Sequence, residues 1–103
     1  SYQDAKAVFD TMNCGNASPQ NAIGCLAGQL LAAKLNVENG ADGCIGPAIA
    51  EADSFLSGGA VDGVTGVTYT GPTGTYALSA AQRAEAIALK APLGTYNAGG
   101  GCP

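Results

Sequence analysis

The chain has no histidine and no tryptophan, one methionine and two phenylalanines among its 103 residues. Without histidine there is no Ser-His-Asp or Cys-His nucleophile, no usual zinc site, and none of the most common general base. The cysteines, Cys14, Cys25, Cys44 and Cys102, show no CxxC spacing and are poor zinc candidates. Only four cations, Lys6, Lys34, Arg83 and Lys90, stand against eight acids, for a formal charge of −4. Phosphate neutralisation needs clustered Lys and Arg, so nucleic-acid binding is not expected. Attraction to an anionic membrane is disfavoured for the same reason. No run approaches the roughly 18 apolar residues of a membrane-spanning helix, so no membrane insertion is expected. No stretch reads as a signal peptide, so if the protein is secreted this sequence is expected to be a mature chain or an excised domain. No cofactor and no metal are expected.

What is present is small: Ala and Gly dominate, and a single domain of this length builds only a modest core from them. At about 25 cal/mol per Å² of apolar surface, such a core needs reinforcement. An even cysteine count supplies it if the protein is extracellular or on a cell surface and the thiols are oxidised. The alternative is four buried free thiols in a cytosolic protein.

The organising stretch is Ser18 to Gly40. Ser18 is an N-cap and Pro19 suits the first helical position, where no N–H is needed. Ile23, Leu26, Ala27, Leu30, Leu31, Ala33 and Leu35 then describe an apolar arc wider than a one-sided surface helix needs, which predicts a central helix. Asn39-Gly40 provides a left-handed stop. A first helix is expected from Ser1 to Met12, with Ser1 as cap and Ala5, Val8, Phe9 and Met12 in one stripe. A third runs from about Cys44 to Leu56, with Pro47 confined to its first turn and Ile45, Ile49, Ala52, Phe55 and Leu56 facing inward. Ser79 and Gln82 form a capping box for a fourth. Its expected apolar face is Ala84, Ile87, Ala88 and Ala91, and Pro92 should kink or end it. The expected fold is therefore mainly α: a disulfide-braced four-helix bundle over about 1–12, 18–39, 44–56 and 79–97.

Between the third and fourth helices the composition turns to Gly, Thr and Val. Val67-Thr68-Tyr69-Thr70 and Thr75-Tyr76-Ala77-Leu78 flank Gly71-Pro72-Thr73-Gly74, which predicts a β-hairpin at 67–78 pairing Tyr69 with Tyr76. An irregular Thr-rich loop is the alternative. Exposed tyrosines suit carbohydrate or protein contact, so Tyr69, Thr70, Thr75 and Tyr76 are the candidate binding residues, against a purely structural hairpin covering the helices.

Helix order constrains the cysteines. In an up-down-up-down arrangement the end of helix one and the start of helix two share a pole, which brings Cys14 to Cys25. The start of helix three and the end of helix four share the other, which brings Cys44 to Cys102. Either alternative connectivity asks for a bond from pole to pole, beyond disulfide reach. Loop entropy makes these two bonds worth about 3 and about 4 kcal/mol as upper values. Glu51 and Asp53, two apart on a helix, do not face each other and read as a solvated face rather than a glycosidase pair. The loop Asn36 to Asp42 gathers oxygen ligands but lacks EF-hand spacing, and capping explains Asn39, Gly40 and Asp42 without calcium. The sequon Asn16-Ala17-Ser18 is better explained by chance and by the need for a cap at Ser18.

The run LAGQLLAAKLNVENGADGCIGPAIAEADSFL resembles a helical module of bacterial secreted and cell-surface proteins that carries a LAxQLxAAKLNxxNGA…CIxxAIAxAD pattern. Leu26, Gln29, Leu30, Ala32 to Asn36, Asn39 to Ala41, Cys44, Ile45, Ala48 to Ala50, Ala52 and Asp53 carry the match. Ser1 to Met12 resembles the helix preceding the pattern, and Ser79 to Asn97 resembles the closing helix, with its Tyr96-Asn97. The aromatic, histidine-containing segment that often precedes such modules is missing. The resemblance implies an extracellular location, a helical fold and a surface or matrix role, and it transfers no catalytic or binding residue. The expected function is a non-enzymatic secreted or cell-surface structural or adhesion module that binds a glycan or protein. The alternative is a self-assembling subunit of an extracellular filament or surface layer.

Overall fold

The computed structural model of the chain describes residues 2–15 and 18–103. The Ser1 cap and the Asn16 sequon lie outside the described residues. The chain is mainly helical: α1 (Tyr2–Thr11), α2 (Pro19–Glu38), a 3₁₀ turn (Gly43–Ile45), α3 (Gly46–Phe55), strands β1 (Ala60–Val61) and β2 (Val64–Thr65), and α4 (Ala80–Asn97).

Helix α2 is the element the others rest on. The Ser18 side chain accepts the Asn21 N–H, Pro19 opens the first turn, and Asn39 with the positive-φ Gly40 ends the helix. Ala22, Ile23, Cys25, Leu26, Ala27, Leu30 and Ala33 are buried around more than half of its circumference, because α1, α3 and α4 all pack against it. Leu31 and Leu35 stay half-exposed at the edges of that arc. Phe55 and Ile45 from the α3 segment and Leu93 from α4 complete the fully buried set with Ile23 and Leu26. The third helix begins as a 3₁₀ turn capped by Asp42, whose Oδ1 accepts the Cys44 N–H at 2.9 Å.

Helix α4 buries a different face from the expected one. Ala86, Leu89, Leu93 and Tyr96 point inward, while Ala84, Ile87, Ala88 and Ala91 are exposed. Both sets obey helical spacing, but the second offers little apolar area beyond Ile87, so the larger residues take the core. The helix also runs through Pro92 to Asn97. The carbonyl that Pro92 deprives of a partner belongs to exposed Ala88, where water can serve it. The capping box at Ser79 and Gln82 is present, and Gln82 Nε2 also donates to the Thr65 carbonyl at 3.0 Å, joining this cap to β2.

Cys14 is bonded to Cys25 and Cys44 to Cys102, with Cα separations of 5.0 and 6.1 Å, the pairs favoured by helix order. Among the described residues no helix is long and apolar enough to cross a membrane.

The hairpin lies earlier in the chain than expected. Ala60 pairs with Thr65 and Val61 with Val64 around the turn Asp62-Gly63. Both turn residues have positive φ, 52° and 78°, as a two-residue type I′ turn requires. Segment 67–78 forms no hairpin. The Val67 N–H donates to the Phe55 carbonyl at 2.9 Å and the Tyr69 N–H to the Leu56 carbonyl at 2.8 Å. Its donors thus satisfy the open carbonyls at the end of α3, and only an isolated bridge, Ser57 to Thr68, remains of strand pairing. Gly66 permits the close approach: a β-carbon there would lie 2.1 Å from the Phe55 carbonyl oxygen.

Candidate functional site: a groove beside Tyr69

The two candidate tyrosines do meet, without a hairpin. Their rings lie nearly parallel, 9° apart, with centroids 5.9 Å from each other. Their roles differ. Tyr76 is buried, and its hydroxyl closes the 70–76 loop: it accepts the Thr70 N–H at 3.0 Å and donates to the Gly71 carbonyl at 2.7 Å. Gln20 of α2 holds the same loop, accepting the Tyr76 N–H on Oε1 at 3.1 Å and donating from Nε2 to the Gly74 carbonyl. Tyr76 is therefore a strut rather than an exposed contact. Thr70 and Thr75 are exposed on that loop.

Tyr69 faces a groove of about 310 Å³ between α1, α2 and the end of α3. The walls are apolar: Val8, Ala27, Leu30, Leu31 and Leu56. At the rim Lys34 Nζ sits 2.6 Å from Asp53 Oδ1, each side chain about half exposed (45% and 47%). Ser57 also lines it, but its hydroxyl already donates to the Asp53 carbonyl at 2.7 Å. The Tyr69 hydroxyl oxygen is shielded from water and has no hydrogen-bond partner among the described residues. Burial, and secondarily the neighbouring Tyr76, raise its pKa above the usual tyrosine value, so at neutral pH it is an OH.

The other orphaned oxygen is Glu85 Oε1. Its pKa is raised by a side-chain hydrogen bond with Asp62, then by burial, then by the charges of Asp62 and Glu51. This acid pair joins the hairpin turn to α4 and does not line the Tyr69 groove. Asn36 and Asp42 are engaged in structural bonds: Asn36 Nδ2 donates to Asn97 Oδ1 at 2.9 Å, and Asp42 caps the 3₁₀ turn. Among the described residues no cluster of three potential metal ligands exists.

Sequence reasoning selected Tyr69 but missed the groove, because Val8, Leu31, Lys34 and Asp53 come from three helices and no local pattern joins them. Lys6 and Asp10 form an i,i+4 ion pair on α1, and neither lines the groove. No family model, no curated protein and no solved structure matches the chain.

Proposed function

We propose that this chain is a non-enzymatic, extracellular or cell-surface adhesion module, a disulfide-braced four-helix bundle that holds a protein partner in the groove beside Tyr69. The observation that carries the reading is the groove of about 310 Å³ that Tyr69 lines together with the apolar Val8, Ala27, Leu30, Leu31 and Leu56. A glycan is the poorer occupant, since nearly every sugar carbon carries a hydroxyl and these walls offer few partners for them. Filament growth by strand addition has lost its expected joint, because the donors of Val67 and Tyr69 are spent on α3.

The test is selection of peptides from a random displayed library on the oxidised, immobilised protein. Recovered peptides are expected to share an apolar anchor and to lose at least about tenfold in affinity against Leu31→Glu, the size of effect expected for a charge placed in an apolar contact. Failure to enrich any peptide, or binding indifferent to Leu31→Glu, refutes the proposal.

A further inference from the structure

Helix α1 stands apart from the core it rests on. The largest fully buried side chains, Ile23, Leu26, Ile45, Phe55 and Leu93, come from α2, from α3 with its opening 3₁₀ turn, and from α4. Among the described residues no side chain of α1 is fully buried, and its apolar stripe Ala5, Val8 and Phe9, continued by Met12, stays half-buried. The helix packs chiefly on α2, where its C-terminal end meets two glycines. A β-carbon at Gly28 would lie 2.6 Å from Met12 Sδ, and one at Gly24 would lie 3.9 Å from the Thr11 carbonyl oxygen. Ten residues are too few for a helix to persist by itself in water, so α1 depends on how it is held. The covalent hold is the bond from Cys14, just beyond its end, to Cys25 on the buried side of α2. The other helices are held to one another by other means. Asn97 donates to Gln29 and receives Asn36, the Tyr96 hydroxyl donates to the Asp42 carbonyl, and Cys44–Cys102 closes that end.

We infer that α1 is a redox-released arm: opening Cys14–Cys25 undocks it from α2 while α2, α3 and α4 stay folded together. The step is exchange with a dithiol reductant. A thiolate of the reductant attacks Sγ of Cys14, an exposed residue, the S–S bond breaks, and the electron pair leaves on the Cys25 sulfur, which takes a proton. The second thiol of the reductant then attacks the mixed disulfide. Cys14 departs as a thiolate and is protonated, and the reductant leaves as its own disulfide. Release uncovers the strip of α2 around Gly24 and Gly28 and takes Val8 out of the groove beside Tyr69. In an oxidising medium the bond persists and the arm stays docked.

The test is amide hydrogen exchange on the full chain, followed by NMR. Cys14→Ser with Cys25→Ala holds the bond open permanently, and alanine avoids burying a hydroxyl at position 25, which is 3% exposed. In this variant the α1 amides are expected to exchange within about tenfold of an unstructured chain, while those of α2 and α4 stay slower by at least about a hundredfold. Protection of α1 equal to that of α2, or loss of α2 and α4 along with α1, overturns the inference. A second measurement uses the parent protein, so that it does not depend on the variant folding. A short pulse of dithiothreitol, quenched with iodoacetamide, should alkylate Cys14 and Cys25 in molecules whose α2 and α4 amides remain protected. Alkylation of Cys14 only in molecules that have lost that protection, or none without denaturant, likewise overturns it.

Discussion

The same atom can be deleted from each of two stacked rings, and the two deletions should act in opposite directions. Tyr76→Phe removes a hydroxyl that bonds the Thr70 N–H at 3.0 Å and the Gly71 carbonyl at 2.7 Å. At about 1 kcal/mol net per bond the loss is about 2 kcal/mol, moderated because Thr70 is exposed and water can reach it. For a domain of this length that lowers Tm by roughly 8–16 °C. Tyr69→Phe removes a shielded hydroxyl that bonds nothing among the described residues. The unpaired donor disappears, and the ring keeps its stack on Tyr76. The variant should be neutral or more stable by up to about 1 kcal/mol. Urea unfolding of the oxidised proteins at neutral pH, followed by circular dichroism, measures both, and unchanged m values would confirm that stability alone has moved. A Tyr76→Phe loss below about 0.5 kcal/mol, the scale of ordinary surface substitutions, would refute the strut. A Tyr69→Phe loss above about 1 kcal/mol would mean that its hydroxyl has a partner in the free protein.

Two further outcomes follow from the remaining contacts. Glu85 holds its proton more tightly in the folded state, through Asp62 first and burial next, so between the usual glutamate value of 4.5 and the raised folded one the folded state binds more protons. Stability therefore falls as pH rises through that window, and the cost is fully present above it. Glu85→Gln should unfold at higher urea than the parent at pH 7 and converge with it at acidic pH, and parallel pH profiles would exclude the shared proton. Gly66→Ala should cost at least about 3 kcal/mol, because a β-carbon 2.1 Å from the Phe55 carbonyl oxygen must push the hairpin off the end of α3. A Tm within a few degrees of the parent would show that this junction yields.

Where a local rule governs, the sequence suffices. Ser18 and Pro19 start α2, Ser79 and Gln82 start α4, and helix order alone favours the two disulfide pairs. The errors arise where two readings satisfy one rule. Val61-Asp62-Gly63-Val64 carries the stronger two-residue hairpin signal, yet the four-residue Gly71 to Gly74 stretch drew the hairpin because tyrosines flank it. On α4 two stripes share the same period, and only the area of Leu89, Leu93 and Tyr96 separates them. The groove was beyond reach for another reason. Its walls come from three helices and from Leu56, Ser57 and Tyr69 beyond α3, and no local pattern joins residues so far apart in the chain.

The polar residues that carry the resemblance to a secreted module are committed to one another. Asn97 Nδ2 donates to the Gln29 carbonyl at 2.9 Å and to Gln29 Oε1 at 2.8 Å, while its Oδ1 receives Asn36. The Tyr96 hydroxyl donates to the Asp42 carbonyl at 2.8 Å, close to where Cys44 meets Cys102. Lys34 pairs with Asp53 across α2 and α3. These contacts clip α4 and α3 to α2 beside the apolar core. A pattern built from such residues specifies a scaffold. Tyr69 stands outside it, on a segment whose backbone is anchored to α3 while its side chain is left without a bond of its own. A motif whose polar members are spent on one another in this way specifies how the helices sit, and so carries no information about what the surface around position 69 does.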